Sequence, residues 1–198
     1  MFSVILASFI GYILGSIPFG LVITRMAGLG DIRYIGSGNI GATNVLRTGR
    51  KDLALLTLLF DVGKAGLAAA ICRFIFQSEN IGLVAGFMAV IGHNYPIWLG
   101  FKGGKGVAST LGMMFVITPF VGLLTALTWL AMAIIFKYSS LAALTALALS
   151  PLYAWVWATP ATALCYGLLA LLSWYRHRAN IRRLIQGEET KISFKRKK

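Results

Sequence analysis

Two apolar stretches in the second half of the chain leave few folds open. From Val107 to Phe136 the only break is Thr118-Pro119, and from Leu141 to Tyr175 the only break is Thr159-Pro160. The second stretch has 35 residues. As one helix it would exceed about 50 Å, against a bilayer hydrocarbon core of about 30 Å. It must therefore be two spans meeting at Pro160. Composition agrees: 58% of residues are hydrophobic and 13% charged, whereas a soluble domain carries about a quarter charged residues. The chain reads as an integral membrane protein.

Charge decides how many times it crosses. The formal net charge is +13, and Lys and Arg gather on the cytoplasmic side of a membrane. If residues 107–136 formed one span, the basic tail would lie opposite the other basic loops; a split at Pro119 removes the conflict. The expected spans are 2–24, 53–75, 81–100, 107–118 (short), 120–136, 141–158 and 160–175. The predicted fold is all-α, with seven transmembrane helices in a single membrane domain over residues 1–198. Its N-terminus is outside, and loops 25–52, 101–106 and 137–140 are cytoplasmic, together with the C-terminal segment 176–198. No basic region precedes the first span, so cleavage as a signal peptide is not expected. Gly11 with Gly15, and Gly82 with Gly86, have the spacing that lets helices approach closely. Pro18 is expected to kink the end of the first span. Residues 107–118 are too short to cross unaided and are expected as a half-depth helix with its positive end toward residues 102–106.

The polar loops carry the chemistry. Gly36-Ser37-Gly38-Asn39-Ile40-Gly41-Ala42-Thr43-Asn44 has no carboxylate, three glycines within six residues, and Arg33, Arg47, Arg50 and Lys51 around it. Glycine lets successive backbone N–H groups converge on an anion, and hydroxyls and amides add donors. A second glycine-rich basic loop, Lys102-Gly103-Gly104-Lys105-Gly106, follows Gly92-His93-Asn94-Tyr95-Pro96. It is not a Walker A loop, because Gly106 stands where Ser or Thr would bind magnesium. Two such loops point to phosphate compounds, not nucleic acid, as ligands.

The tail begins Trp174-Tyr175-Arg176-His177-Arg178-Ala179-Asn180-Ile181. As a helix it places His177, Asn180, Ile181 and Leu184 on one face, which suggests the wall of a site. The remaining basic residues, with Lys195-Arg196-Lys197-Lys198, are expected to contact anionic lipid. Asp61 and Lys64 lie several turns inside the second span at a spacing that lets them pair, either for function or as a brace between helices. Cys72 and Cys165 sit in apolar runs and are read as inert. There is no paired-carboxylate arrangement, no metal-site cluster and no His-x4-Asp. Neither metal nor cofactor is expected, and the reaction should need little help from a dedicated base.

Taken in order, three segments resemble the motifs of the bacterial acyl-phosphate-dependent glycerol-3-phosphate acyltransferases. They are Ser37 to Asn44 with Arg47; Gly92 to Pro96 through Lys102 to Gly106; and Arg176-His177-Arg178-x-Asn180-Ile181 with Glu188 or Glu189. The similarity spans nearly the whole chain. One departure is Ala65, which intervenes between Lys64 and Gly66. The resemblance implies acyl transfer from fatty acyl phosphate to the 1-hydroxyl of glycerol 3-phosphate in the bacterial cytoplasmic membrane, giving lysophosphatidic acid and inorganic phosphate, with no obligate protein partner. Ser37, Gly38, Asn39, Gly41, Thr43 and Asn44 are then expected on the acyl phosphate. Arg47, Lys102, Lys105, His177 and Ser140 are expected on glycerol 3-phosphate. Ser37, Arg47, Lys105, His177 and Asn180 are the expected catalytic set. His177 could act as a base, but the family implies that the substrate's own phosphate assists deprotonation while His177 and Asn180 shape the site. The competing reading is a transporter of phosphorylated metabolites. Against it, the motifs lie in loops at one face and no internal repeat is visible.

Overall fold

The structure, a computed structural model, describes residues 1–192, so the expectation placed on Lys195 to Lys198 lies outside the described residues. Among the described residues every regular element is helical. Contacts divide them into two compact units, Met1–Met113 and the chain from Met114 onward.

In the first unit, α1 (Phe2–Ser16) and α2 (Phe19–Met26) are separated at Ile17-Pro18, where proline cannot donate to the ladder. Helix α4 (Lys51–Phe76) leads to α5 (Glu79–Asn94) through a turn braced by Arg73 and Glu79 at 2.6 Å. Helices α1, α4 and α5 pack together. Gly11 and Gly15 lie directly against the backbone of Ala85 and Ala89, so the small-residue spacing is used for close approach. Ala7, Cys72 and Ala85 form a buried cluster there, with Ile10, Phe76 and Ile81 packed on it.

The polar segment between α2 and α4 contains only the short α3 (Ala42–Val45) and two 3₁₀ turns, Ile32–Tyr34 and Leu46–Thr48. It is held from beneath by its own apolar side chains: Ile32, Ile40 and Val45 are buried with Leu21 and Ala54. The third apolar segment, expected as a span over 81–100, ends as an α-helix at Asn94 and continues as a 3₁₀ turn at Ile97–Leu99. Pro96 explains the difference, because it pushes Tyr95 out of helical geometry, to φ −133° and ψ 61°. Helix α6 (Val107–Ile117) follows the second glycine-rich loop, and Gly112 brings it against the Val62 carbonyl of α4.

The second unit contains α7 (Pro119–Phe136), α8 (Ser139–Trp157), α9 (Pro160–Arg176) and α10 (Arg178–Ile185). Pro119 and Pro160 open α7 and α9, where a missing N–H costs nothing. Pro151 lies inside α8 and would orphan the Leu147 carbonyl, but the Ser150 hydroxyl donates to that carbonyl at 2.9 Å. Hydroxyl pairs at 2.6 Å (Thr118 with Tyr166) and 2.9 Å (Thr128 with Tyr153) satisfy polar groups between apolar helices.

Among the described residues, five helical stretches are long and apolar enough to cross a membrane: Phe2–Met26, Lys51–Phe76, Glu79–Leu99, Pro119–Phe136 and Ser139–Trp157. Val107–Ile117 is apolar but shorter. Large apolar residues such as Leu59, Phe60, Leu67 and Phe74 of α4 are exposed, as lipid-facing side chains would be.

Candidate active site

Each of the two glycine-rich loops of the first unit has a defined internal frame. In the first loop the frame is Asn44. Its Nδ2 donates to the carbonyls of Ile35 and Asn39 at 2.8 Å and of Ile32 at 3.0 Å. Its Oδ1 accepts from the Ser37 N–H at 2.9 Å, from the Ser37 hydroxyl at 3.2 Å and from Arg47 Nη1 at 3.4 Å. Asn44 is 2% exposed. Its amide is consumed in shaping the loop from inside, where the sequence reading placed it on a substrate phosphate. Gly36 permits this geometry. It has φ +57°, and a Cβ there would meet Asn44 Oδ1 at 2.6 Å and Arg47 Cδ at 2.7 Å.

Ser37, Gly38, Thr43 and Arg47 remain exposed around that frame, while Asn39 and Gly41 are half-buried. The Asn39 Oδ1 caps the N–H of Ile40 at 3.0 Å. Arg33 and Arg50, both expected to add positive charge, are paired with neighbouring carboxylates: Arg33 with Asp31 and Arg50 with Asp52, each at 2.6 Å. The Arg33 guanidinium, helped by Arg25, holds the Asp31 carboxyl well below the usual carboxylate range against the opposing effect of burial. Arg47 folds over Gly36 and reaches Asn44 Oδ1, which brings its charge to the loop's frame.

The second loop is pinned to the end of α5. The N–H of Gly104 donates to the His93 carbonyl at 2.9 Å and that of Gly103 to the Asn94 carbonyl at 3.2 Å. Lys102 is exposed and Lys105 half-buried. Leu99, in the turn leading into this loop, packs on the cluster of Leu21, Ile32, Ile40, Val45 and Ala54 that supports the first loop. Both loops thus rest on one apolar base.

Beneath them lies a buried polar group. Lys64 Nζ is 3.0 Å from Asp61 Oδ1 and donates to the Ile17 carbonyl, at the α1–α2 break, at 2.8 Å. His93 Nδ1 faces the same carboxylate at 3.6 Å, and the Ser109 hydroxyl donates to the Asp61 carbonyl at 2.9 Å. The Asp61–Lys64 pair was readable from its spacing. His93 and Ser109 were not, because nothing local in sequence relates them to Asp61.

The second unit holds the remaining expected residues. Glu189 is buried and accepts from Asn180 Nδ2 at 2.6 Å, Arg183 Nε at 2.7 Å and the Ser140 hydroxyl at 2.8 Å. Burial alone would raise the Glu189 pKa, but the hydrogen bonds from Asn180, Arg183 and Ser140 outweigh it and hold the carboxylate below its ordinary range. Asn180 and Ser140, expected to face substrate, each spend a donor on this carboxylate. His177 is 3% exposed, and its Nδ1 lies 2.8 Å from the Ser173 carbonyl, so that nitrogen carries the proton. Glu189, left open against Glu188 by the sequence, is the organising residue of this cluster.

A helical membrane protein with two glycine-rich, cation-bearing loops on a common base belongs among proteins that handle phosphorylated compounds in the bilayer. Comparison with known proteins makes this specific. A family profile described as glycerol-3-phosphate acyltransferase matches residues 5–187. A glycerol-3-phosphate acyltransferase of Rhodospirillum rubrum is 61% identical over 94% of this chain and 90% of its own length. One from Paramagnetospirillum magneticum is 57% identical over 100% of this chain and 98% of its own length. A crystal structure of PlsY (YgiH), described as an integral membrane glycerol 3-phosphate acyltransferase in its glycerol 3-phosphate form, matches with TM-score 0.90 at 38% identity over 96% of each chain. Its lysophosphatidic acid form matches with TM-score 0.88 at 36% identity over 96% of each chain. The chain belongs to the glycerol-3-phosphate acyltransferase family, and it is an integral membrane acyltransferase.

Proposed function

We propose that the enzyme takes its acyl group from a fatty acyl phosphate and transfers it to the 1-hydroxyl of glycerol 3-phosphate, releasing lysophosphatidic acid and inorganic phosphate at the cytoplasmic face of the bacterial inner membrane. The observation that carries this reading is the pair of glycine-rich loops on one apolar base, since a reaction between two phosphorylated substrates needs two neighbouring anion sites. The first loop, with Ser37, Gly38, Asn39, Gly41 and Thr43, receives the acyl phosphate. Arg47, Lys102 and Lys105 hold glycerol 3-phosphate and stabilise developing charge. The acceptor oxygen attacks the acyl carbon, the bond from that carbon to the phosphate oxygen breaks, and the hydroxyl proton passes to a phosphate oxygen. A mixed anhydride is already activated, so positioning and electrostatic stabilisation suffice. Asn44 acts by holding the loop. The buried hydrogen bonds of Asn180 and Ser140 to Glu189 support a shaping role for these two residues, and His177 is assigned to the same wall of the site.

The transmembrane arrangement belongs to the same proposal. Seven helical segments cross or enter the bilayer with the N-terminus outside; α6, at 11 residues, is the half-depth member.

Kinetics of purified variants test the assignment. Arg47→Ala and Lys105→Ala should raise the KM for glycerol 3-phosphate by about tenfold or more, and Ser37→Ala should act on the acyl phosphate parameters. The opposite pattern would exchange the substrates of these two sets of residues, and unchanged kinetics in both sets would overturn the site.

A further inference from the structure

His93 is buried, at 4% exposure, one residue before the end of α5. Its Nδ1 faces the Asp61 carboxylate at 3.6 Å. That charge favours the tautomer with the proton on Nδ1 and sets the plane of the ring, as a carboxylate does for an imidazole it supports. The other end of the ring fills the space under the second glycine-rich loop. A Cβ built on Gly104 would run directly into His93 Nε2, and one built on Gly103 would run into the His93 carbonyl. The same carbonyl accepts the Gly104 N–H at 2.9 Å. Gly104 is therefore glycine because an imidazole occupies the volume a side chain would need.

Asp61 is in turn held by two side chains besides His93. Lys64 neutralises it at 3.0 Å while holding the carbonyl at the α1–α2 break, and Ser109, in the first turn of α6, donates to its backbone carbonyl at 2.9 Å. With its backbone tied to α6 and its carboxylate paired with Lys64, Asp61 is a fixed reference point in an otherwise apolar interior.

We infer that Asp61 and His93 are positioning residues: the carboxylate orients the imidazole, and the imidazole sets the height of the Gly103–Gly106 backbone and so the reach of Lys105. This rests on the assignment of that loop to glycerol 3-phosphate. It predicts that the effect of substitutions passes through the loop and not through the fold as a whole.

The test is a double-mutant cycle in the full-length enzyme, with size-exclusion profile and Tm recorded for each variant. His93→Asn keeps an amide near the Nδ1 position, toward Asp61, and empties the space beneath Gly104. Gly104→Ala pushes a methyl group into the imidazole. Each alone should raise the KM for glycerol 3-phosphate about tenfold with little change in kcat. In the double variant the methyl group enters the vacated space, so the KM should stay near tenfold instead of reaching the roughly hundredfold rise that additivity requires. His93→Gln, whose amide can reach the Nε2 position, should recover most of the loss. Asp61→Asn paired with Lys64→Met removes both charges and keeps the ring; it should raise the same KM. An additive cycle, or an unchanged KM in His93→Asn, would overturn the role of His93. An unchanged KM in the charge-free pair would overturn that of Asp61. A non-additive cycle confined to the acyl donor's KM would uphold the coupling and overturn the loop's assignment to glycerol 3-phosphate.

Discussion

At the scale of single residues, the first loop separates groups that face outward from the one that holds them. Ser37, Thr43 and Arg47 are exposed, while Asn44 supplies the hydrogen bonds that keep the loop's carbonyls turned inward. Replacing Asn44 by Ala removes donors from three carbonyls. At about 0.5–1.5 kcal/mol net for each hydrogen bond, the loss is about 1.5–4.5 kcal/mol. Asn44→Ala should lower Tm and open residues 36–41 to limited proteolysis; unaltered protease resistance with lost activity would instead make Asn44 a substrate ligand. His177 allows a cleaner distinction. A general base contributes about 10²–10⁴ in rate, so a shaping role predicts that folded His177→Ala loses less than about tenfold in kcat. A loss of several hundredfold or more would contradict it. The residue types of the candidate loop were legible, since glycine, hydroxyl, amide and cation are those that phosphate binding favours. Their direction was not: an amide in a polar loop reads as a donor whether it points at a ligand or at its own backbone.

At the scale of elements, the short helix α10 is held to the start of α8 by Glu189 through Ser140, and to its own turn through Asn180 and Arg183. The carboxylate's folded pKa lies below its ordinary value. Its stabilising contribution is therefore complete above about pH 4.3, the ordinary glutamate value, and is lost as pH falls through the lowered one. Tm should accordingly be lower in Glu189→Gln than in wild type at pH 7, and the gap should close on acidification below about pH 4. A gap that is constant with pH would mean that the lost contact is steric and not ionic. Helix limits were largely readable, because prolines at 18, 119 and 160 mark positions where a donor is missing. Pro96 was the exception. Its apolar neighbours Ile97, Trp98 and Leu99 extended the hydropathy past the residue where helical geometry ends.

At the scale of the whole molecule, the membrane class followed from the length of the apolar runs alone, whereas the family required three motifs in order. Hydropathy reports that a helix is surrounded by lipid and says nothing of what the loops bind. Conversely, the Asp61–His93 contact joins residues 32 positions apart on different helices, a relation that only packing creates. The proposed orientation can be examined directly in a chain lacking Cys72 and Cys165. A membrane-impermeant maleimide should label Gln77→Cys and Ala158→Cys on intact cells, and Gly49→Cys and Gly187→Cys only after permeabilisation. The reverse pattern would invert the topology and move the loops to the outer face.

The most direct test of the central claim combines purified protein in detergent with palmitoyl phosphate and glycerol 3-phosphate, without coenzyme A or acyl carrier protein, and counts both products. The account predicts equal moles of lysophosphatidic acid and inorganic phosphate. Product formed only when an acyl thioester replaces acyl phosphate would contradict it.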